Sequence, residues 1–210
     1  MTRLVIFDMD GVILDSEPLH NRAREILLKR FGVNEPVEDM VGKSNKETWE
    51  PVIKKYDIPY TQPKIERMQH EIVMQILADE NIQATEGLID LLDELEKRRI
   101  TMAVASSSAR WFVDHVLDYY KIKNRFFCVL TGNDVENYKP HPEIYRKSLE
   151  ICGFDAKEAI AIEDSDSGQA AAIAAKIKCV GYKNPGSGNQ KLDKGFVTIE
   201  KMSDFVKYID

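Results

Sequence analysis

Acidic side chains directly follow two apolar runs of the sequence. The two pairs are Asp8 with Asp10, and Glu163 with Asp164. Four carboxylates brought to one place would repel one another, since a like-charge pair at ~4 Å costs roughly 4 kcal/mol at an effective dielectric constant of ~20. A hard divalent cation such as Mg2+ relieves that repulsion, because it prefers oxygen ligands. If the fold brings these residues together, they predict a Mg2+ site.

A hydroxyl and a positive charge complete the set of candidate residues. Ser106 follows a third apolar run, and Lys139 lies in a Tyr-Lys-Pro-His-Pro segment that opens a helical pattern. A hydroxyl donor and a lysine ammonium are suited to bind the oxygens of a phosphoryl group. The combined set therefore predicts chemistry on a phosphate ester.

Each of these features has an ordinary structural explanation when it is taken alone. Asp8–Gly11 is typical of a turn, Ser106–Ser108 of a helix N-cap, and Glu163–Ser165 of a helix N-terminus. Lys139 alone is typical of an exposed loop. A calcium-binding loop is disfavoured at the start of the chain, because Ile13 stands where such a loop requires glycine. The joint occurrence of the features at the ends of successive apolar runs favours a functional site.

Apolar runs of strand length alternate with helical patterns along most of the chain. Strands are predicted for residues 4–7, 101–105, 126–130, 159–162, 179–181 and 197–199. Helices are predicted for residues 16–31, 46–56, 63–77, 88–98, 109–119, 142–152 and 167–175, and for the C-terminal segment. This alternation predicts an α/β fold with a doubly wound, Rossmann-like parallel sheet. The candidate residues would then meet where the strands end.

The stretch between residues 35 and 84 contains no strand-like run. It separates the first predicted strand from the others. The order therefore predicts an inserted helical cap domain at residues 15–84 and a core domain at residues 1–14 and 85–210. Ligands of open parallel sheets bind at the carboxyl ends of the strands, so we expect the insertion to act as a lid there. Residues 183–190, rich in Gly, Asn and Ser, are predicted to form a surface loop.

Composition and charge argue against several classes of function. Hydrophobic residues make up 43% of the 210 residues and charged residues 30%, as in a soluble globular protein. The formal net charge of -6 disfavours a nucleic-acid partner, and no apolar run approaches the ~20 residues that cross a bilayer. Three widely spaced cysteines without an export signal indicate thiols in a reducing compartment. We therefore expect a cytoplasmic protein, and a monomer, since one site per chain is self-sufficient.

With these residues in place, the chain resembles the haloacid-dehalogenase superfamily, and within it the β-phosphoglucomutase-like phosphatase branch. The resemblance covers nearly the whole length. The string Asp-Met-Asp-Gly-Val-Ile-Leu-Asp-Ser-Glu at residues 8–17 matches the first family motif in full. The other three motifs are matched by Ser106, by Lys139 with Pro140, and by Glu163, Asp164 and Ser165 with Gly168. The resemblance implies a helical cap inserted after the first motif.

The resemblance also implies a role for each matched residue. It implies that Asp8 attacks phosphorus to form an aspartyl-phosphate, while Asp10 protonates the leaving oxygen and then activates water. Ser106 and Lys139 would hold the phosphoryl group. Backbone N–H groups from Met9 to Gly11 would add donors. The implied cofactor is Mg2+, with ligands from Asp8, the Asp10 carbonyl oxygen, Asp164, and Glu163 directly or through water.

The cap sequence favours a phosphatase over a mutase. Mutases of this branch carry a Lys and an Arg that bind a distal phosphate, whereas Val41 and Asn45 occupy the matching positions here. Substrate contacts are predicted from His20, Lys43 and Asn45, and Trp49 is either cap core or a substrate platform. We expect hydrolysis of a small phosphate monoester, such as a sugar phosphate. The alternatives are a β-phosphoglucomutase-like mutase and, more distantly, a non-catalytic receiver-like module that accepts a phosphoryl group.

Overall fold

A computed structural model describes residues 1–34, 36–37, 45–186 and 188–209, without the side chains of residues 45 and 46. The strands in this part of the chain are β1 (Leu4–Phe7), β2 (Thr101–Ala105), β3 (Cys128–Leu130), β4 (Ala159–Glu163), β5 (Lys178–Tyr182) and β6 (Val197–Ile199). The α-helices are α1 (Glu17–Arg30), α2 (Asn45–Tyr56), α3 (Gln62–Asp79), α4 (Leu88–Lys97), α5 (Arg110–Tyr119), α6 (Glu143–Cys152) and α7 (Asp166–Ala174). Short 3-10 helices cover Lys123–Arg125, Gly132–Asp134, Ala156–Glu158 and Met202–Tyr208.

The strands form one sheet in the order β3-β2-β1-β4-β5-β6. Every neighbouring pair is parallel. Strand order reverses at β1, which pairs with β2 on one side and with β4 on the other. Ligands of doubly wound sheets bind at such a switch point, outside the carboxyl ends of the strands. The predicted doubly wound parallel sheet is confirmed.

The central strands are apolar because both of their faces are covered. All four residues of β1 and all five of β4 are buried. Alanines on β4 and α7, such as Ala161 and Ala172, belong to the core cluster on one face of the sheet and leave room for the helix to approach. A polar residue at the end of such a strand is therefore held by a rigid, fully packed element.

The chain divides into two compact units, residues 1–15 with 83–210 and residues 16–82. The first unit contains the sheet. Within it, the Thr85 N–H donates to the Ile13 carbonyl at 3.0 Å. The described part of the second unit is helical and has its own apolar core, which includes Leu27, Trp49 and Ile65.

Three local features differ from the sequence prediction. The C-terminal segment is a 3-10 helix, in which three residues per turn align the buried side chains of Met202 and Phe205. Strand β3 begins at Cys128 because the preceding Phe126 terminates a 3-10 helix. The segment 183–190 is not wholly a surface loop, since Asn184 is buried by a contact described below. Among the described residues, no helix combines the length and apolarity needed to cross a membrane.

Candidate active site

A tight turn follows β1 and positions its acidic residues. The carbonyl of Met9 accepts from the N–H of Ile13 at 2.8 Å, and the Gly11 N–H donates to the Leu14 carbonyl at 2.7 Å. Gly11 has a φ of 75°, and a Cβ there would lie 1.8 Å from Oδ2 of Asp164. Glycine is therefore required at this position, both for the backbone conformation and for the close approach of Asp164.

Lys139 lies between two acidic residues that end neighbouring strands. Its Nζ lies 2.7 Å from Oδ1 of Asp8 and 2.6 Å from Oε1 of Glu163, and it also donates to the Ala105 carbonyl at 2.8 Å. The Tyr145 hydroxyl donates to the same Glu163 oxygen, and the ring centroid of Tyr145 is 5.3 Å from Nζ. The lysine side chain is only 5% exposed, so its position is fixed by these contacts.

Burial and neighbouring charges shift the pKa values of Asp8 and Lys139. Burial raises the pKa of Asp8; Lys139 opposes that shift, whereas Glu163, Asp164 and Asp10 reinforce it. Burial alone would lower the pKa of Lys139, but the two adjacent carboxylates outweigh it and raise the pKa. One ammonium thus faces an excess of acidic groups. A divalent cation would favour the ionised form of Asp8, because it supplies the missing positive charge.

The donor set fits a hard divalent cation. Carboxylate oxygens of Asp8, Glu163 and Asp164 lie within 4.8 Å of one another. Oxygen-only donors suit Mg2+, which is usually held by one or two carboxylates together with water and substrate phosphate. Oε1 of Glu163 is engaged by Lys139 and Tyr145, whereas Oε2 accepts only a long hydrogen bond of 3.4 Å from the Ser165 hydroxyl and is the oxygen better placed to face a metal-bound water.

The start of α7 packs closely against Glu163. Ser165 caps this helix, with its Oγ accepting from the Gly168 N–H at 3.0 Å. A Cβ on Gly168 would lie 1.9 Å from Oε2 of Glu163. The absence of a side chain at Gly168 therefore allows the first turn of α7 to approach the carboxylate.

The serine cluster after β2 connects to Asp10. Ser108 Oγ donates to Oδ2 of Asp10 at 2.6 Å, and the Ser108 N–H donates to Oγ of Ser106 at 3.0 Å. The N-cap position of α5 is taken by Ala109, which makes no side-chain cap. The simple capping explanation for this cluster is therefore wrong, and Ser108 orients the Asp10 carboxylate instead. Ser106 is fully buried, as expected for a residue held at a strand end.

The segment that carries Lys139 is fastened to α6. The Glu143 carboxylate accepts from the backbone N–H groups of Glu136 and Asn137, each at 3.0 Å, and pairs with Lys147 at 2.9 Å. The hydrogen bond from Lys147, followed by those from Glu136 and Asn137, lowers the pKa of Glu143 to about 2. Glu143 thus fixes the loop just before Lys139.

Asn184, just after β5, is a residue at this edge that the sequence analysis did not identify. Its Nδ2 donates to the Gly11 carbonyl at 2.7 Å, and its Oδ1 accepts from the Gly186 N–H at 2.7 Å. The side chain is buried in these contacts. An amide residue just beyond a strand end was a usable signal, but the Gly- and Ser-rich surroundings indicated only a loop.

The predicted backbone donors for phosphate are Met9 and Gly11. The Gly11 N–H is engaged by the Leu14 carbonyl, so a phosphate oxygen would have to compete for it. The contribution of the Met9 N–H stays a prediction.

Of the substrate contacts predicted in the second unit, only His20 has a described side chain. His20 is buried, and its Nδ1 lies 2.9 Å from Nε2 of Gln69, whose Oε1 accepts from the Trp49 indole at 2.7 Å. Trp49 is thus part of the core of this unit rather than an exposed platform. Lys43 and the side chain of Asn45 lie outside the described residues.

The chain is similar in sequence to a family of hydrolases and to curated phosphatases. The sequence profile of a family described as haloacid dehalogenase-like hydrolase matches residues 5–182. The phosphorylated carbohydrates phosphatase of Thermotoga maritima is 26% identical over 211 residues, which cover 98% of this chain and 97% of that protein. Fructose-1-phosphate phosphatase YqaB of Escherichia coli is 27% identical over 186 residues, or 84% and 94% of the two chains.

A solved structure shows the same fold over nearly the whole chain. CbbY from Rhodobacter sphaeroides, crystallised in complex with phosphate, matches with a TM-score of 0.84 and 22% identity, covering 96% of this chain and 95% of its own. At this level of identity the match concerns the fold alone.

Proposed function

Because the chain belongs to the haloacid dehalogenase-like hydrolase family, we propose that it is a Mg2+-dependent phosphatase that hydrolyses a small sugar phosphate through an aspartyl-phosphate on Asp8. The resemblance to this superfamily found from the sequence motifs is confirmed. The enzyme class expected from them, a phosphoric monoester hydrolase, is likewise confirmed, so the non-catalytic receiver-like alternative loses its support. The metal, the intermediate and the roles of individual residues are parts of our proposal.

One observation carries the proposal: Lys139 joins Asp8 and Glu163 within 2.7 Å at the switch point of the sheet. A buried carboxylate beside a fixed ammonium and further acidic residues suits the transfer of a dianionic group with a cation bound. Phosphoryl transfer depends mainly on positioning and charge neutralisation. This arrangement of charges supplies both.

The chemistry divides into two displacements on phosphorus. In the first, an oxygen of Asp8 bonds to phosphorus while the ester bond breaks, and Asp10 gives its proton to the leaving alcohol. In the second, water attacks the aspartyl-phosphate and gives a proton to Asp10. Inorganic phosphate leaves, and Asp8 is restored. Ser108 holds Asp10 by the 2.6 Å hydrogen bond, while Ser106 and Lys139 bind the phosphoryl oxygens.

When bound, Mg2+ would supply positive charge to the phosphoryl oxygens and to the acidic cluster. Asp8, Asp164 and the Asp10 carbonyl would hold it, with Glu163 direct or through water. The fit rests on the three carboxylates within 4.8 Å. It rests also on Gly11, whose missing side chain admits Asp164.

The substrate class rests on the relatives, which are named as phosphatases of fructose 1-phosphate and of phosphorylated carbohydrates. We further propose residues 15–84 as the cap domain and His20, Lys43 and Asn45 as its substrate contacts. The mutase is disfavoured because the matching positions, Val41 and Asn45, lack the cationic pair that would bind a distal phosphate. The cytoplasmic location, the monomeric state and the absence of a nucleic-acid partner stay predictions.

The test is 31P NMR of the purified protein with Mg2+ and a panel of sugar phosphates. The panel includes fructose 1-phosphate, and β-glucose 1-phosphate with a trace of the 1,6-bisphosphate. We expect free inorganic phosphate from at least one sugar phosphate, lost in EDTA and restored by Mg2+. Glucose 6-phosphate without free phosphate would establish the mutase instead. Turnover that persists in EDTA would refute the metal requirement.

A further inference from the structure

Two of the three cysteines lie in contact. The Sγ atoms of Cys128 and Cys152 are 3.4 Å apart, although the residues are 24 positions apart in the chain. Cys128 begins β3, an edge strand of the sheet, and Cys152 ends α6. The contact therefore joins two elements that the fold holds together independently of the thiols.

Cys128 and Cys152 pack against the core and are only partly buried. Both cysteines are partly buried beside the main core, where Leu149 and Phe154 also pack. Cys179, in contrast, is buried in β5 and only 1% exposed. The pair is thus more exposed than the third thiol, so Cys179 serves as an internal control for reagent access.

The contact makes the two thiols chemically unequal. The hydrogen bond from Cys152 lowers the pKa of Cys128, whereas its bond to Cys128 and its burial raise the pKa of Cys152. Thiolate is the reactive form of cysteine. A thiolate formed at this pair therefore has a second thiol 3.4 Å away, in place to react with it afterwards.

We propose that Cys128 and Cys152 form a redox-active dithiol site, which a peroxide converts to an intramolecular disulfide. A thiolate of the pair attacks one peroxide oxygen and breaks the O–O bond, giving a sulfenic acid. The sulfur of the other cysteine then displaces the sulfenic oxygen, which leaves as water. Overall, two thiols lose two electrons and two protons, and hydrogen peroxide becomes two waters. A disulfide bond of about 2.05 Å requires the sulfurs to approach by roughly 1.3 Å from their present contact.

The resulting bridge would close a loop that contains Lys139. Residues 129–151 lie between the two cysteines, and they include both Lys139 and Tyr145, which contact Glu163. The bridge would therefore tie the C-terminal end of α6 to the sheet and limit opening of this segment. This consequence concerns the fold, and it holds whether or not the chain hydrolyses sugar phosphates.

The experiment treats the reduced full-length protein with hydrogen peroxide, blocks the remaining thiols, and maps cysteine peptides by mass spectrometry without reduction. We expect a Cys128–Cys152 peptide pair about 2 Da lighter than the sum of its reduced peptides, with Cys179 left free. The bridged protein should melt about 5 °C or more above the reduced one, because closing a loop restricts the unfolded chain. Dithiothreitol should reverse both changes.

Matched variants decide between this site and general oxidation. Cys179→Ser should retain the bridge and the melting shift. Cys128→Ser and Cys152→Ser should each lose both, and their reduced melting temperatures would show that they fold. The proposal is overturned if peroxide yields no bridge in the native protein, or if Cys179 is oxidised as fast as Cys128.

Discussion

The side-chain amide of Asn184 donates a 2.7 Å hydrogen bond to the carbonyl oxygen of Gly11. The bond joins the segment after β5 to the turn that carries Asp8 and Asp10. Both partners are at the carboxyl edge of the sheet, two strands apart in its order. An amide that fixes a backbone carbonyl here holds the turn without adding charge to an already acidic site.

Replacing Asn184 by alanine should therefore slow turnover. The change leaves the Gly11 carbonyl without this donor, which costs about 1–3 kcal/mol. We expect part of this cost to be relieved by a displacement of the turn that carries Asp8 and Asp10. We expect kcat on p-nitrophenyl phosphate to fall about tenfold, a loss of ~1.4 kcal/mol, in a protein that still folds. Asn189→Ala, at an exposed position of the same loop, is the control. Equal kcat values for the two variants would contradict the positioning role.

Changing Asp10 to asparagine should abolish turnover while leaving metal binding nearly intact. The amide keeps the backbone carbonyl and the size of the side chain, but it cannot exchange a proton with the leaving group or with water. We expect kcat to fall about 10^3-fold. The affinity for Mg2+, measured from the rise in melting temperature as Mg2+ is added, should be close to that of the parent protein. Turnover that survives this change would refute the acid-base assignment.

Ser108→Ala should have a smaller effect on the same step. It removes the 2.6 Å hydrogen bond that orients the Asp10 carboxylate, without removing the carboxylate itself. We expect kcat to fall about 10- to 100-fold, because losing a hydrogen bond to a charged group costs about 1.5–3 kcal/mol. Ser107→Ala, the neighbouring hydroxyl, is the matched control. Additive losses in the Asp10→Asn, Ser108→Ala double variant would show that the serine does not act through Asp10.

The pH dependence of stability should contain a contribution from Glu143. Its folded pKa of about 2 lies below the ordinary value of 4.5, so the folded state binds a proton less readily than the unfolded state. The stabilisation is present above pH 4.5 and is lost as the pH falls towards 2. Glu143→Gln should therefore be less stable than the parent protein at pH 6. The difference in free energy of unfolding between the two proteins should shrink as the pH falls to 3. Glu150→Gln, at an exposed position of the same helix, is the matched control.

The hydrogen-bond chain in residues 16–82 predicts the tautomer of His20. The Trp49 indole can only donate, so Gln69 presents its oxygen to Trp49 and its NH2 group to Nδ1 of His20. The neutral ring must then carry its proton on Nε2. Long-range 1H–15N NMR should show this form, and Gln69→Glu should reverse it, because a carboxylate accepts from both partners. An Nδ1–H ring in the parent protein would contradict the chain.

The sheet could be predicted from the sequence because its strands are short and mostly apolar, and polar residues stand at or just after their carboxyl ends. Residues such as Asp8, Ser106 and Glu163 then fall at one edge by strand geometry alone. Asn184 and Ser108 could not be recognised in the same way. Their roles depend on which backbone carbonyl or carboxylate another segment brings within 3 Å, and neither residue type nor periodicity contains that information.

The two points where the chain leaves and rejoins the sheet-containing unit are already joined. The Thr85 N–H bonds to the Ile13 carbonyl, so the ends of the excursion through residues 16–82 meet at a single closed junction. The segment 16–82 can therefore be lengthened, shortened or exchanged, by evolution or by design, while the strands keep their pairing. Loop-closure entropy grows only slowly with length. Under our proposal that residues 15–84 form a cap that contacts the substrate, exchange of this one segment would change selectivity and leave the residues at the sheet edge unchanged.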